Sequence, residues 1–297
     1  MSAAWLASWS SFYPNISEDA NSVALANQKL VAASKENTMA TLKLKYDYEK
    51  MEGGKRYVAT IDSKSFASFN PLLLGLGDIS KDADSYQALA AMFDLEGFTD
   101  FANQIDPHLV IPEYLSSFLH WLFDSISAEV RSGENDEKVF LWCPLPFFAK
   151  FMGDGVLLLW DTTSLTPIHL GNLVTSLRNI SVNYQSEFLP QIRKVVSKPP
   201  SRLRCGIARG QVVSIGNGND FVGGCINVAA RVQKLGQFSF AFSKRGFTLE
   251  KNFPGTSDEK FQLIETAIRG VGEKELVYVL KEEFGKVPDP EKPSILP

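Results

Sequence analysis

The sequence predicts an α+β protein with a ferredoxin-like βαββαβ core that begins at residue 89. Three features point there. Apolar periodicity switches between the strand and helix repeats in the order strand, helix, hairpin, helix, strands. Glycines mark hairpin tips at Gly53-Gly54 and around Asp154, between Gly153 and Gly155. The 297 residues are 44% hydrophobic and 22% charged, a balance that buries a good core and excludes disordered and fibrous classes.

Each element has its own signal. SEDANSVALANQKLVAASKE, residues 17–36, opens with capping residues and continues with helix formers, which predicts a helix. Alternation at Leu42, Leu44, Tyr46 and Tyr48, and again at Tyr57, Ala59 and Ile61, predicts a β-hairpin about the glycine pair. Residues 62–86 read as a loop, so 1–88 form an N-terminal extension of helix and hairpin. A strand over 89–94 then leads into DPHLVIPEYLSSFLHWLFDSISAEV, whose early proline and helical apolar spacing predict a long helix. RSGENDEK reads as a solvated loop. VFLWCPLPFFAKFMGDGVLLLW reads as a buried hairpin with an acid at its tip, and an amphipathic helix covers much of 163–197. Strands around RLRCGIARGQVVSIG follow, then a glycine-rich turn, a short helix CINVAARVQKLG, a strand near FSFAFS and a last strand ELVYVL. The core domain therefore spans 89–282, and the Pro-rich residues 283–297 read as a loose tail.

Charge and composition remove several functions. A formal net charge of -4 offers no basic field for nucleic acid or an anionic membrane. PLLLGLG and GVLLLW fall far short of the roughly 20 apolar residues that span a bilayer. MSAAWLASWS lacks the features of a secretory signal, so a cytoplasmic location is expected. Cys143, Cys205 and Cys225 are scattered and odd in number, which suits reduced small hydrophobes rather than disulfides or a zinc motif. His108, His120 and His169 are too widely spaced for a helical metal motif.

The chemistry-bearing residues lie in short motifs. In FDLEGFT, Asp94 ends an apolar run and is followed by Gly97, Phe98 and Thr99. One reading is ordinary turn punctuation. The other makes Asp94 a metal ligand at a strand's carboxyl end, with backbone N–H groups from Glu96 to Thr99 cradling phosphate. That second reading needs another carboxylate and a cation. KFMGDG supplies Asp154, on a hairpin that a ferredoxin-like sheet sets beside the first strand. Paired carboxylates that hold hard divalent cations against phosphate oxygens suit phosphoryl chemistry, although a turn Asp between glycines is also common. GGCINVAAR supplies Asn227 and Arg231, spaced i, i+4 on one helix face, a pattern that a surface Asn and a pairing Arg share.

In this order, FDLEGFT, KFMGDG and GGCINVAAR resemble the three hallmark segments of class III nucleotide cyclase catalytic domains, and the resemblance spans residues 89–281. It implies a βαββαβ core of the class III cyclase type. It also implies two divalent metal ions, Mn²⁺ or Mg²⁺, held by Asp94 and Asp154 with the backbone carbonyl of Leu95. Asn227 would orient the ribose and Arg231 would bind the phosphate at the transition state. The Gly97-Phe98-Thr99 turn would bind triphosphate, together with Arg269, which stands where the family usually has a Lys. The resemblance further implies a homodimer with shared sites, the carboxylates of one copy facing Asn227 and Arg231 of the other.

Lys150 and Asp220 fall where this family recognises the base. In the ATP-using enzymes a Lys donates to ring N1 and an Asp accepts from the exocyclic amine. The same pair serves uracil through O4 and N3-H, or cytosine through the N4 amine, whereas guanine fits worst. Trp142, Phe147, Phe148 and Phe151 surround Lys150 in sequence; one reading is that they alternate into the core, which holds for some of them, and the other is that they fill the space that a purine's second ring occupies. LWCPLPFFAKFMGDGVLLLW and FDLEGFTDF are most similar to the stand-alone bacterial pyrimidine cyclases of the Pycsar antiphage defence system. The expectation is a uridylate cyclase that converts UTP to 3',5'-cyclic UMP and pyrophosphate. Cytidylate cyclase, adenylate cyclase and an inactive nucleotide-binding homologue are the alternatives.

Overall fold

The computed structural model describes residues 47–50, 57–67, 70, 74–104, 106–255, 260–288 and 293–295. The helix expected over 17–36 and the strand positions Leu42, Leu44 and Tyr46 lie outside these residues. Contacts divide the chain into two units, one of residues 1–83 with 214–220 and one of residues 84–213 with 221–297. No helix among the described residues is long and apolar enough to cross a membrane.

In the first unit β1 (Asp47–Lys50) pairs antiparallel with β2 (Tyr57–Thr60), with Asp47 opposite Thr60, which is the hairpin the glycine pair predicts. The stretch read as loop contains a short helix, α1 (Ser63–Ala67), started by the Asp62 carboxylate accepting the Ser65 N–H at 2.9 Å. Gly216 sits in the left-handed region at φ 58°, and a Cβ there would lie 1.3 Å from the Leu76 carbonyl oxygen. Only glycine fits.

The second unit begins with β3 (Ser85–Glu96), a short helix α2 (Phe98–Ala102), the long helix α3 (Pro107–Val130), a small hairpin of β4 (Arg131–Glu134) and β5 (Val139–Leu141), then β6 (Phe148–Phe151) and β7 (Gly155–Asp161). Helix α4 (Pro167–Asn183) runs through a π-turn (Tyr184–Phe188) into α5 (Leu189–Ile192). There follow β8 (Arg202–Ile215), β9 (Asp220–Val222), α6 (Gly224–Val232), β10 (Phe240–Ser243), α7 (Leu249–Asn252), β11 (Phe261–Ile268), β12 (Gly272–Leu280), α8 (Lys281–Lys286) and β13 (Ser294–Ile295). The main sheet has the order β13-β11-β12-β10-β8-β3-β7-β6. Its β8-β3-β7-β6 part is antiparallel throughout, with α3 joining β3 to the β6–β7 hairpin and α4 leading to β8. This is the ferredoxin-like arrangement that the sequence predicts.

Strand β3 is apolar on both faces because it is covered on both. Leu89, Ala91, Phe93 and Leu95 enter one core, and Ala88, Ala90 and Met92 enter the other. Helices α3 and α4 cover the first face. The buried residues of α3 recur every fourth position at Tyr114, Phe118, Leu122, Ile126 and Val130. Tyr114 and Tyr184 meet there hydroxyl to hydroxyl at 2.8 Å, Tyr184 donates onward to the Pro200 carbonyl at 2.6 Å, and burial pushes the Tyr184 phenol up to about 12. Helix α6 covers the second face at close range. A Cβ on Gly206 would stand 2.4 Å from the Ala229 carbonyl oxygen, and one on Gly210 would stand 3.2 Å from Cys225 Cβ.

Besides the helix and the start of β3 within the segment read as loop, other expectations need correction. RSGENDEK forms β4 and the turn to β5, because the Asn135 side chain accepts the Glu137 and Lys138 N–H groups at 3.1 and 2.8 Å and closes the chain back on itself. Of the hairpin expected to be buried only β7 is, since β6 is the sheet's edge strand with Ala149, Lys150 and Phe151 exposed. Strand β11 was not foreseen. The segment read as a loose tail is partly docked, with Phe284 and Val287 buried in the core under α6 and β13 paired with β11.

Candidate active site

The pairing of β3 with β7 sets Asp94 opposite Gly155, and the Leu95 N–H donates to the Asp154 carbonyl at 3.0 Å. Two acidic residues thus adjoin at one end of the sheet. Both glycines around Asp154 are required: Gly153 turns at φ 88°, and a Cβ on Gly155 would lie 2.5 Å from the Phe93 carbonyl oxygen. Leu95 sends its side chain into the core, which leaves its backbone for any contact at this end. Gly97 opens α2 at φ 83°, Phe98 packs on Phe101 and Tyr114, and Gly97 and Thr99 are exposed.

Two arginines close this end, and the motifs did not contain them. Strand β8 places Arg204 opposite Asp94 and Arg202 opposite Glu96. The Arg204 guanidinium donates to Asp94 Oδ2 from Nε at 3.1 Å and again from Nη2, while Asp94 is only 7% exposed. Arg202 grips Glu96 bidentately at 2.6 and 2.9 Å and also donates to the Gly236 carbonyl at 2.9 Å. The signal was an alternation: D-L-E in β3 and R-L-R in β8 each put two charges of one sign on one face.

Asn227 and Arg231 stand on α6, which buries Cys225, Val228, Ala229 and Val232 and leaves both of them exposed. They do not meet the carboxylates of their own chain. Cys225 lies over Gly210 and Gln233 over Gly206, so α6 runs antiparallel to β8 with Asn227 toward the Gly210 end. Asp94 lies level with Arg204, about five strand residues away from Asn227, or roughly 16 Å at the rise of a β-strand, and Arg231, one helical turn on, is about 6 Å nearer along the sheet. Lys150 is exposed on β6 opposite Leu157, and Asp220 is half-buried at the start of β9. Arg269 is exposed in the turn between β11 and β12, next to Gly270 at φ 77°.

The aromatic cluster expected around Lys150 is dispersed. Trp142 belongs to the core under α3 and α4 and donates through Nε1 to the Glu129 carbonyl at 2.8 Å. Phe147 and Phe148 pack edge-on against Phe221 with ring centroids 5.2 and 4.9 Å away, and Tyr86 stacks on Phe147 at 5.4 Å. Of the four aromatics, Phe151 alone is exposed, on the face of β6 opposite Lys150, and Phe148 is on the Lys150 face. The three cysteines behave as the sequence suggests: all are buried, and burial pushes the Cys143 thiol up to about 12 and raises those of Cys205 and Cys225.

The donors at the Asp94 end are of the type a hard divalent cation takes, with Arg204 holding Asp94 Oδ2 in this structure. Two carboxylates and a backbone carbonyl are all oxygen ligands. Among the described residues no group of three or more His, Cys, Asp or Glu is placed to hold a metal ion.

No protein-family model matches the chain, and no curated relative matches it in sequence. Among solved structures the chain is similar to the adenylyl cyclase CyaB from P. aeruginosa, with 13% identity over 71% of this chain and 99% of that one and a TM-score of 0.49. It is similar to the guanylyl cyclase Cya2, with 17% identity over 73% and 100% of the two chains and a TM-score of 0.44. An adenylate/guanylate cyclase/hydrolase from Silicibacter pomeroyi gives 17% identity, 70% and 100% coverage and a TM-score of 0.43. At this identity and overlap the likenesses carry nothing about chemistry.

Proposed function

We propose that the chain is a metal-dependent nucleotide cyclase and, within that class, a uridylate cyclase making 3',5'-cyclic UMP and pyrophosphate from UTP. One observation carries the cyclase reading: Asp94 and Asp154 adjoin at one end of the sheet while Asn227 and Arg231 face outward together from α6. Two divalent cations bound at Asp94, Asp154 and the Leu95 carbonyl would neutralise charge on the attacking and leaving oxygens. The chain's own residues do the rest. Asn227 holds the ribose so that its 3'-oxygen faces the α-phosphorus, and Arg231 meets the negative charge that develops on the α-phosphate. The 3'-oxygen forms its bond to phosphorus, the bond to the β-phosphate's bridging oxygen breaks, pyrophosphate leaves, and the hydroxyl proton passes to solvent. Gly97, Phe98, Thr99 and Arg269 belong to the triphosphate in this proposal.

The separation of the two groups within one chain supports a head-to-tail homodimer in which each site takes carboxylates from one copy and Asn227, Arg231, Lys150 and Asp220 from the other. Phe151 and Met152, 45% and 49% exposed beside Asp154, give the hairpin tip an apolar surface suited to a second copy. The preference for UTP, and a role in antiphage defence, rest on the resemblance of the segments around Asp94 and Asp154 to pyrimidine cyclases. One observation favours a second reading, adenylate cyclase: Trp142 packs under α3 and α4, which leaves half-buried Phe148 as the aromatic on the Lys150 face of β6 and so less aromatic bulk there than four rings would give. Incubation with each of the four nucleoside triphosphates and Mn²⁺, with products identified by mass, decides between them. Cyclic UMP as the main product supports the first, cyclic AMP the second, and no cyclic product from any of the four refutes both.

A further inference from the structure

Asn227 lines a cleft of about 380 Å³, bounded by the first turn of α6, the Ala208–Gln211 stretch of β8, Ser243 at the end of β10 and the Gly270-Val271 turn. Two arginines border it. Arg209 is committed to the wall, since its Nε donates to Thr162 Oγ1 at 3.1 Å and its stem lies against Gly246, where a Cβ would come within 3.1 Å of Arg209 Cβ. Arg245 is placed differently. Its side chain is 62% exposed, yet its Nη2 pairs with Oε1 of Glu275, whose side chain is 8% exposed. Gly272 makes room for that carboxylate, because a Cβ there would stand 2.4 Å from Glu275 Oε1.

A buried carboxylate requires a partner, and Arg245 supplies it. That requirement does not account for a partner whose guanidinium is mostly exposed at the rim of the cleft that Asn227 shares. A guanidinium fixed by a carboxylate on one edge keeps its other N–H donors for a second anion, in the planar fork that matches phosphate oxygens. The surroundings suit an anion as well. Gly224 and Gly270 carry no side chain to shield their backbone, with open space where a Cβ would lie, and Arg269 precedes Gly270 in the same turn.

We propose that this cleft seats the diphosphate tail of the nucleotide and that Arg245, oriented by Glu275, is a phosphate-contacting residue. The proposal rests on the cyclase reading for the ribose end, which Asn227 sets, and adds a cation found in none of the three hallmark segments.

Calorimetric titration of the full chain with inorganic pyrophosphate in Mg²⁺ tests it without turnover. The Arg245→Met/Glu275→Met double variant removes the arginine without leaving a buried carboxylate unpaired, and Arg245→Lys keeps the charge but loses the fork. Arg131→Met, outside the cleft, is the control. The double variant is expected to raise the pyrophosphate Kd about tenfold, Arg245→Lys to fall between, and the control to match the unaltered chain. Equal affinity in all four proteins, or no binding by the unaltered chain at millimolar pyrophosphate, overturns the proposal. The cyclase reading fails separately: pyrophosphate binding that depends on Arg245, with no cyclic product from any triphosphate, keeps the cleft and sinks the cyclase.

Discussion

The two ends of β8 handle charge in opposite ways. At the Arg202–Arg204 end each arginine is matched across the strand, to Glu96 and Asp94, and the acids are tied into the sheet. Near Gly206 and Gly210 the strand gives up side chains so that α6 can approach, and the polar residues of that helix, Asn227 and Arg231, are turned outward. One end is closed on itself and the other is open and fixed in place. The difference is that Asp94 and Glu96 already have cationic partners within their own chain, whereas Asn227 and Arg231 are presented at the surface.

The largest effects should come from the residues that carry this contrast. Arg231→Ala is expected to lower kcat by about a thousandfold, the scale for losing a cation at a phosphoryl transition state, with an unchanged far-UV CD spectrum. Asp154→Asn should abolish turnover to a similar extent, and EDTA should do the same to the unaltered chain. Full activity in EDTA would remove the metal from the account.

A smaller effect sharpens the closed end. Because Arg204 occupies Asp94, Arg204→Met should raise Mn²⁺ affinity about tenfold in the absence of nucleotide, as read by electron paramagnetic resonance, while lowering kcat/KM. An unchanged Mn²⁺ affinity would show that Arg204 does not compete for the carboxylate. Gly206→Ala addresses the open end. Its methyl would meet the Ala229 carbonyl, so α6 must shift, at a cost of about 1–3 kcal/mol, seen as a lower Tm. The smallest effect concerns the thiols: burial raises all three, so alkylation of the folded protein at pH 8 should be slow and should accelerate only on unfolding.

Much of this fold was legible locally. A strand buried on both faces shows as the unbroken apolar run before Asp94, and α3 shows as an apolar residue at every fourth position. What stayed hidden depends on distant partners. Strand β11, FQLIETAI, mixes polar residues into its apolar pattern and gains its place from pairing with β12 and β13. The aromatics near Lys150 are split because closeness in sequence does not say which face each ring takes: Phe148 shares the Lys150 face of β6, whereas Trp142 went to the helix-covered core. Arg204 and Asp94 are 110 residues apart, so their ion pair exists only once β3 and β8 are in register. Asn227 and Arg231 were easier, since spacing on one helix sets their common face.

The central claim is that the acid end of one copy and the Asn227–Arg231 face of another make one site. Complementation tests it most directly. Asp154→Asn and Arg231→Ala are each expected to be inactive, and co-expression yields heterodimers in which one site carries both lesions and the other carries none. With random assortment about half the dimers are mixed and each keeps one of its two sites, so activity should return to roughly a quarter of the unaltered level. Verified heterodimers as inactive as either parent would contradict the account and place each site within a single chain.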